Sequence, residues 1–220
     1  HIASGTLKET QMLMTDSFAR RVREESVADH RDAERSEFMS AVFSGDVTRV
    51  EYAALVVQLQ AVYAALDEAA ARHRNDAVVG AFFDPALERG AAIQADLAAL
   101  PPTAVPLMKP TVEYVARIRE VSDEWPGAVV AHHYTRYLGD LSGGQAIAAK
   151  LQNNLGLTPT AGLALYQFPE IGPAPKFKEK YRELLDTAGW NEAQRSEFIA
   201  EVKRAYDLNT KMFISLDHLR

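Results

Sequence analysis

The sequence predicts an all-α fold organised as a single domain. Apolar residues recur every three or four positions in several long segments, which is the spacing of one face of an α-helix. No segment shows the sustained alternation of apolar and polar residues that is typical of a β-strand. The stretches between the helical segments are short and rich in proline and glycine. These observations predict one domain over residues 1–220 with about seven to nine helices.

Four segments carry the helical pattern most clearly. In chain order they are residues 17–43, 51–73, 111–124 and 191–216. The first should end near Gly45, because glycine is the usual residue after a helix C-terminus. The third begins just after Pro110. In the fourth, Asn191 and Ser196 are candidate caps for the helix N-terminus.

Composition limits the classes of function. The chain has no cysteine, which excludes disulfides, thiol catalysis and iron–sulfur ligation and fits a reducing compartment. Its formal net charge of −6 argues against general nucleic-acid binding. No apolar run approaches the ~18–20 residues of a membrane span, and we therefore expect a cytoplasmic protein with no membrane segment. Residues 1–14 are expected to be disordered or to derive in part from expression.

The stretch YLGDLSGGQ, residues 137–145, places three glycines and one carboxylate in a helical context. Each glycine in a helix interior costs about 1 kcal/mol relative to alanine, so the stretch predicts a kink and mobility. One arc of the helix would contain His132, Arg136, Gly139, Asp140 and Gly143. Leu138 and Leu141 would lie away from it. A glycine face lets a flat ligand approach the backbone, with Asp140 able to order water above that ligand. The alternative is a tight crossing of two helices without any ligand.

The segment around His30 is a second candidate site. One helical face would contain Arg23, Val27, His30, Glu34 and Phe38. A single histidine can ligate a haem iron, because the porphyrin supplies the other ligands. Glu34 could hold the second ring nitrogen, and Arg23 could meet an anionic group at the edge of a flat ligand. The alternative is a surface histidine flanked by charges. None of the six histidines has the HExxH or ExxH spacing of a helical metal site.

Four segments together resemble the haem oxygenase family. HHYTRYLGDLSGGQ is similar to the distal-helix signature of that family, and HRDAERSEFM is similar to its proximal-histidine segment. FPEIGPAPKFKEKYRELLD resembles the segment with basic contacts to the haem propionates, and RAYDLN resembles the last helix. These segments follow the order and spacing of the family over residues 15–217. The sequence is therefore identified as a member of the haem oxygenase family.

The resemblance implies an all-α fold in which haem lies between a proximal helix and a kinked distal helix. It implies an enzyme that cleaves haem b, both substrate and cofactor, to biliverdin, carbon monoxide and ferrous iron. O2 would be the co-substrate, and electrons would come from an external NAD(P)H-dependent flavoprotein reductase or a ferredoxin. We expect a monomer that releases iron from haem. The alternatives are a haem carrier or sensor on the same scaffold, and a helical interaction module without a ligand.

The resemblance also implies roles on the proximal side and at the rim. His30 would be the axial ligand of the haem iron, and Glu34 would hold its ring. The haem propionates would be surrounded by Arg23, Tyr134, Lys178 and Arg182. Lys178 and Arg182 are four residues apart and share one side of a helix. The family often has lysine at the position of Arg23, and the role of Tyr134 depends on the resemblance, since an ideal helix places it off the glycine face.

On the distal side, the resemblance implies that Gly139 and Gly143 contact the haem face. Asp140 would anchor a network of ordered water above the iron, and Arg136 would belong to that network. A carboxylate that acts through water protonates a reacting group more gently than a direct acid does. A haem carrier needs no such proton path, so Asp140 within its glycine frame favours the enzyme.

Overall fold

The computed structural model describes residues 17–220 and confirms the all-α prediction. Within this range there are ten α-helices and no β-strand, only isolated bridges from Thr158 to Ala161 and Gly162. The expectation for residues 1–14 lies outside the described residues. No helix between residues 17 and 220 is both long and apolar enough to cross a bilayer.

The first five α-helices are α1 (Phe18–Glu25), α2 (Val27–Ala33), α3 (Glu37–Ser44), α4 (Arg49–His73) and α5 (Gly90–Ala99). The other five are α6 (Lys109–Glu124), α7 (Pro126–Asp140), α8 (Gly143–Leu155), α9 (Ala174–Thr187) and α10 (Glu192–Ile214). Short 3₁₀ helices cover Gly80–Phe82, Pro85–Leu87, Ala164–Tyr166 and Asp217–Leu219. The count exceeds the predicted seven to nine because the N-terminal segment is divided.

Residues 17–43 have one apolar period but form three helices. α1 and α2 meet at Ser26, whose hydroxyl donates a hydrogen bond to a carbonyl one turn earlier. The chain leaves the helix after Glu34, and Ser36 caps α3 by accepting an N–H bond in its first turn. This interruption rotates Phe38 away from His30 and into the core, where it is fully buried. The prediction that Phe38 shares the face of His30 was therefore wrong.

Two predicted helix ends are confirmed. α3 stops at Gly45, whose φ of 73° lies in the left-handed region that favours glycine. α10 starts after Asn191, which forms a capping box with Gln194. Ser196 lies inside α10 and is not a cap.

The packing of the long helices determines where a ligand can enter. α4 buries residues around most of its circumference, as expected for a central helix, and it packs against α5, α6 and α7. α10 packs against α7, α2 and α6. The predicted interruption of the YLGDLSGGQ helix is present between α7 and α8, where Ser142 has φ −116° and ψ −98°. The space beside this break is bounded by α2 and α10.

Candidate functional site

A cavity of about 460 Å³ lies between α2, the α7–α8 break and α10. Its volume is within the ~300–1,000 Å³ of typical small-molecule sites. Nine of the ten predicted site residues line it: Arg23, His30, Glu34, Tyr134, Arg136, Gly139, Asp140, Gly143 and Arg182. The tenth, Lys178, does not line the cavity. Its Nζ lies 3.1 Å from the hydroxyl of Ser142, and Ser142 does line the cavity. The structure thus brings together residues from five helices, α1, α2, α7, α8 and α9, that lie far apart in the sequence.

The α2 wall presents His30 to the cavity with one ring nitrogen already engaged. Nε2 of His30 lies 3.1 Å from a carboxylate oxygen of Glu34, one turn later. The imidazole also stacks on the ring of Tyr206 from α10, with centroids 5.3 Å apart. Roughly half of the His30 side chain remains exposed. A histidine whose ring is fixed by a carboxylate is typical of a metal ligand.

The three glycines of the break serve two different purposes. A Cβ atom added to Gly139 would meet no atom within 4 Å, and one on Gly143 would meet only Phe43, at 4.0 Å. A Cβ on Gly144 would instead lie 3.1 Å from the ring of Tyr166. The first two glycines therefore leave open space along the backbone for a flat ligand. The third allows the close helix packing that was the alternative interpretation of the whole stretch.

The cavity covers part of the predicted arc of α7, Arg136, Gly139 and Asp140, but extends to one side of it and does not reach His132. Leu138 lines it, although the ideal helix placed this side chain away from the glycines. Tyr134, one turn before Leu138, also lines it. His132 is fully buried on the other side, where Nε2 lies 2.7 Å from Glu201 of α10. The reason for this difference is the packing of α10. Glu201 of α10 binds His132 on one side of α7, and the side that carries Tyr134 and Leu138 faces the cavity.

Asp140 is buried at the end of α7, and its carboxylate is held by two side chains. The hydroxyl of Tyr63 on α4 donates a hydrogen bond to one oxygen, and Arg136 lies 3.7 Å from the other. Burial raises the pKa of Asp140, while the positive charge of Arg136 and the Tyr63 hydrogen bond act against this increase. The net result is a pKa above that of an ordinary aspartate.

Arg136 connects Asp140 to a wider polar network. Its guanidinium donates to the Tyr63 hydroxyl at 3.1 Å and to the amide oxygen of Asn209 at 2.7 Å. The Asn209 amide in turn donates to the hydroxyl of Tyr114 at 2.9 Å. Burial alone would lower the pKa of Arg136, but the neighbouring Tyr63 and Asp140 raise it overall. The network therefore contains a fixed positive charge beside the carboxylate.

The partners Tyr63, Tyr114 and Asn209 were not predicted from the sequence. They lie on α4, α6 and α10, and each is fully or almost fully buried. A tyrosine in an apolar helix such as VVQLQAVYAAL must place its hydroxyl against a polar partner. This is the signal that could have marked Tyr63 as a candidate, although it does not identify the partner.

Two arginine side chains lie at the rim of the cavity. Arg23 and Arg182 line it from α1 and α9, together with the largely buried Tyr134. Burial raises the pKa of the Tyr134 hydroxyl, and the charges of Arg182 and Arg23 oppose this shift, which places both near that hydroxyl. Guanidinium groups and a phenol are suitable donors for the carboxylates of a ligand.

The deep end of the cavity is apolar. Its side chains include Met39, Phe43, Leu55, Leu59 and Ile147. Apolar walls, a glycine surface, one histidine and a basic rim together fit a flat ligand with an iron centre and carboxylate arms. The fold and the site thus define a class: all-α proteins built to enclose haem beside a broken helix.

Known proteins place the chain within that class. The family model described as Heme oxygenase matches residues 16–215. The chain is 35% identical over 212 residues to "Heme oxygenase 1" of Homo sapiens, covering 94% of this chain and 74% of that protein. The solved heme oxygenase from Leptospira interrogans is 33% identical with a TM-score of 0.85, covering 90% and 99% of the two chains. Heme oxygenase-1 of the cyanobacterium Synechocystis in complex with heme is 30% identical with a TM-score of 0.84, covering 92% and 93%.

The chain therefore belongs to the haem oxygenase family, the enzymes that degrade haem. The prediction from the four sequence segments is confirmed at the level of family, fold and enzyme class.

Proposed function

We propose that this chain binds haem b in the cavity and cleaves it to biliverdin, carbon monoxide and ferrous iron, with O2 as co-substrate. One observation carries the proposal. A single cavity has a carboxylate-held histidine on one wall and, on another, two open glycines beside a buried carboxylate. When bound, haem supplies the iron centre at which O2 is activated.

His30 is proposed as the axial ligand of the iron, with Glu34 fixing the orientation of its ring. A neutral imidazole donates less electron density to iron than a thiolate does. Because the chain has no cysteine, a thiolate ligand from its own residues is excluded. The 3.1 Å contact between His30 and Glu34 supports this assignment.

On the distal side, Gly139 and Gly143 let the haem face approach the backbone of α7 and α8. Asp140 holds water at the reacting face and passes protons through it, while Tyr63 and Arg136 fix its carboxylate. The raised pKa of the buried Asp140 suits a group that must both release and recover a proton. The break between α7 and α8 allows the motion that entry of haem and release of biliverdin require.

At the rim, Arg23, Tyr134, Lys178 and Arg182 are proposed to bind the two haem propionates. Their positions would set the rotation of haem about the axis through the iron. That rotation determines which edge of the ring is oxidised. Lys178 reaches the break itself through Ser142, so it can couple propionate binding to the position of that residue.

Electrons are proposed to come from an external NAD(P)H-dependent flavoprotein reductase or a ferredoxin. We further propose that residues 1–220 form one domain that acts as a cytoplasmic monomer and releases iron from haem.

The test is an optical titration of the protein with one equivalent of hemin, followed by ascorbate under air. We expect a histidine-ligated Soret band that decays as biliverdin absorbance grows and a chelator traps ferrous iron. His30→Ala should shift the Soret band and abolish turnover, while His218→Ala, at an exposed position in the C-terminal 3₁₀ helix, should behave as wild type. A Soret band that persists through reduction would instead indicate a haem carrier or sensor.

A further inference from the structure

The start of α8 is tied to the 3₁₀ helix Ala164–Tyr166 by a side chain that spans the break. Nε2 of Gln145 donates to the carbonyl of Asp140 and to the carbonyl of Tyr166, both at 2.9 Å. One residue earlier, Gly144 packs directly against the Tyr166 ring. The last carbonyls of a helix lack partners within the helix, so Gln145 satisfies one that α7 leaves open. Asp140 is thereby joined to a turn outside the distal helix.

Two buried charged side chains hold that turn in place. Asp96 of α5 is fully buried, and its two oxygens accept the N–H groups of Ala164 and Leu165, each at 2.8 Å. Arg89 is almost as buried and donates to the carbonyls of Leu165 and Gln167, at 3.1 and 2.7 Å. The Arg89 guanidinium also lies 3.8 Å above the ring of Phe168.

The burial of these two charged side chains indicates that the main chain of residues 164–167 is held rigidly. Charged side chains are expensive to bury unless each is fully hydrogen-bonded, and a short apolar connection would fill the same space at lower cost. Asp96 and Arg89 do not line the cavity, and their partners belong mainly to the main chain of residues 164–167. Their common effect is a turn with a fixed position, and that turn carries Tyr166 and the carbonyl that Gln145 binds.

We propose that Asp96, Arg89 and Gln145 are positioning residues for the reaction, which hold the end of α7, and with it Asp140, through the Ala164–Tyr166 turn. The proposal rests on the proposed role of Asp140 in proton transfer. A helix interrupted by glycines is mobile, and a proton-transfer group is effective only within a fraction of an ångström of its place. The contacts of Asp96, Arg89 and Gln145 restrict motion at Asp140 and leave the glycine face of the cavity open.

The first test uses Gln145→Met, which keeps the length of the side chain but removes both donors. The matched control is Gln152→Met, on an exposed position of the same helix. We expect Gln145→Met to keep its hemin affinity while biliverdin formation at saturating haem falls about tenfold, as expected for a misplaced catalytic group. The pH at which the visible spectrum of the hemin complex changes should also shift. The control should match wild type in all three measurements.

The second test uses Asp96→Asn, which has the same shape but can accept only one of the two N–H bonds. Its matched control is Asp84→Asn, since Asp84 caps the separate 3₁₀ helix Pro85–Leu87 without contacting the break. If Asp96 and Gln145 act through one turn, the double variant should lose little more activity than either single variant.

Three outcomes would overturn the proposal. Gln145→Met could turn over haem at the wild-type rate with an unshifted spectrum. The two substitutions could have fully additive effects. Hemin affinity, thermal stability and turnover could fall in parallel, which would show a purely structural role. A wild-type protein that binds hemin without degrading it would refute the proposed function instead, so the two failures are distinguishable.

Discussion

At the scale of single residues, two buried carboxylates have pKa values shifted in opposite directions. Burial raises the pKa of Asp140, and Arg136 compensates only in part. Burial acts in the same direction on Glu201, but hydrogen bonds from His132 and Arg117 lower its pKa to about 2. Glu201 is therefore an anion that joins α10 to α6 and α7 through Arg117 and His132. The raised pKa of Asp140 supports its proposed role in proton transfer.

We predict that Asp140→Ala keeps hemin binding but lowers the yield of biliverdin by about 100-fold or more, the usual effect of losing a proton-transfer group. His30 and the residues at the rim are unchanged, so the Soret titration should match wild type. The measurement is biliverdin absorbance after reduction under air. Asp207→Ala, on an exposed ion pair of α10, is the control and should have no effect. A normal biliverdin yield from Asp140→Ala would exclude the proton-transfer role.

At the scale of elements, the sequence predicts features that depend on neighbouring residues. The break after Asp140, the end of α3 at Gly45 and the cap of α10 at Asn191 each follow from residues within two turns. The partners of Arg136 do not, because Tyr63 and Asn209 are each 73 residues away along the chain. Periodicity gives the face of one helix but not the helix that will cover it.

The different surroundings of the glycines in the break lead to opposite predictions for alanine. Gly139→Ala should stabilise the protein without haem by up to about 1 kcal/mol, because alanine favours the helix and its Cβ meets open space. The same methyl group enters the cavity and should weaken hemin binding. Gly144→Ala should destabilise the protein by about 1 kcal/mol, because the overpacking of its Cβ against the Tyr166 ring, about 2 kcal/mol, exceeds the gain in helix propensity.

These two variants are compared by urea unfolding without haem and by hemin titration. Each variant is the matched control for the other, since both add one methyl group within the same stretch. The assignment of open and packed glycines fails if Gly139→Ala destabilises the protein or if Gly144→Ala stabilises it.

At the scale of the whole molecule, α7 is the helix that connects the cavity to the core. Its cavity side carries Gly139 and Asp140, and its other side carries His132 and His133, both buried. His132 pairs with α10 through Glu201, while His133 lies 2.9 Å from the hydroxyl of Tyr181 on α9. The positions of α9 and α10 relative to α7 therefore depend on contacts made by buried histidines.

His133 should make the protein without haem less stable in mild acid. Burial lowers its pKa from 6.5 to about 3, so the folded protein keeps it neutral while the unfolded chain takes up a proton below pH 6.5. Stability from this group is therefore complete above pH 6.5 and is lost as the pH falls towards 3. Between pH 7 and pH 5 the loss should be about 2 kcal/mol.

The measurement is urea unfolding at pH 7 and pH 5 for wild type and His133→Gln, which places a non-titrating polar group in the same space. His133→Gln is expected to be less stable than wild type at pH 7 because it packs less well, so the informative quantity is the change between the two pH values. That change should shrink by about 2 kcal/mol in His133→Gln. It should be unaltered in His218→Gln, where the histidine is exposed. If His133→Gln keeps the full wild-type dependence on pH, His133 is not buried in its neutral form.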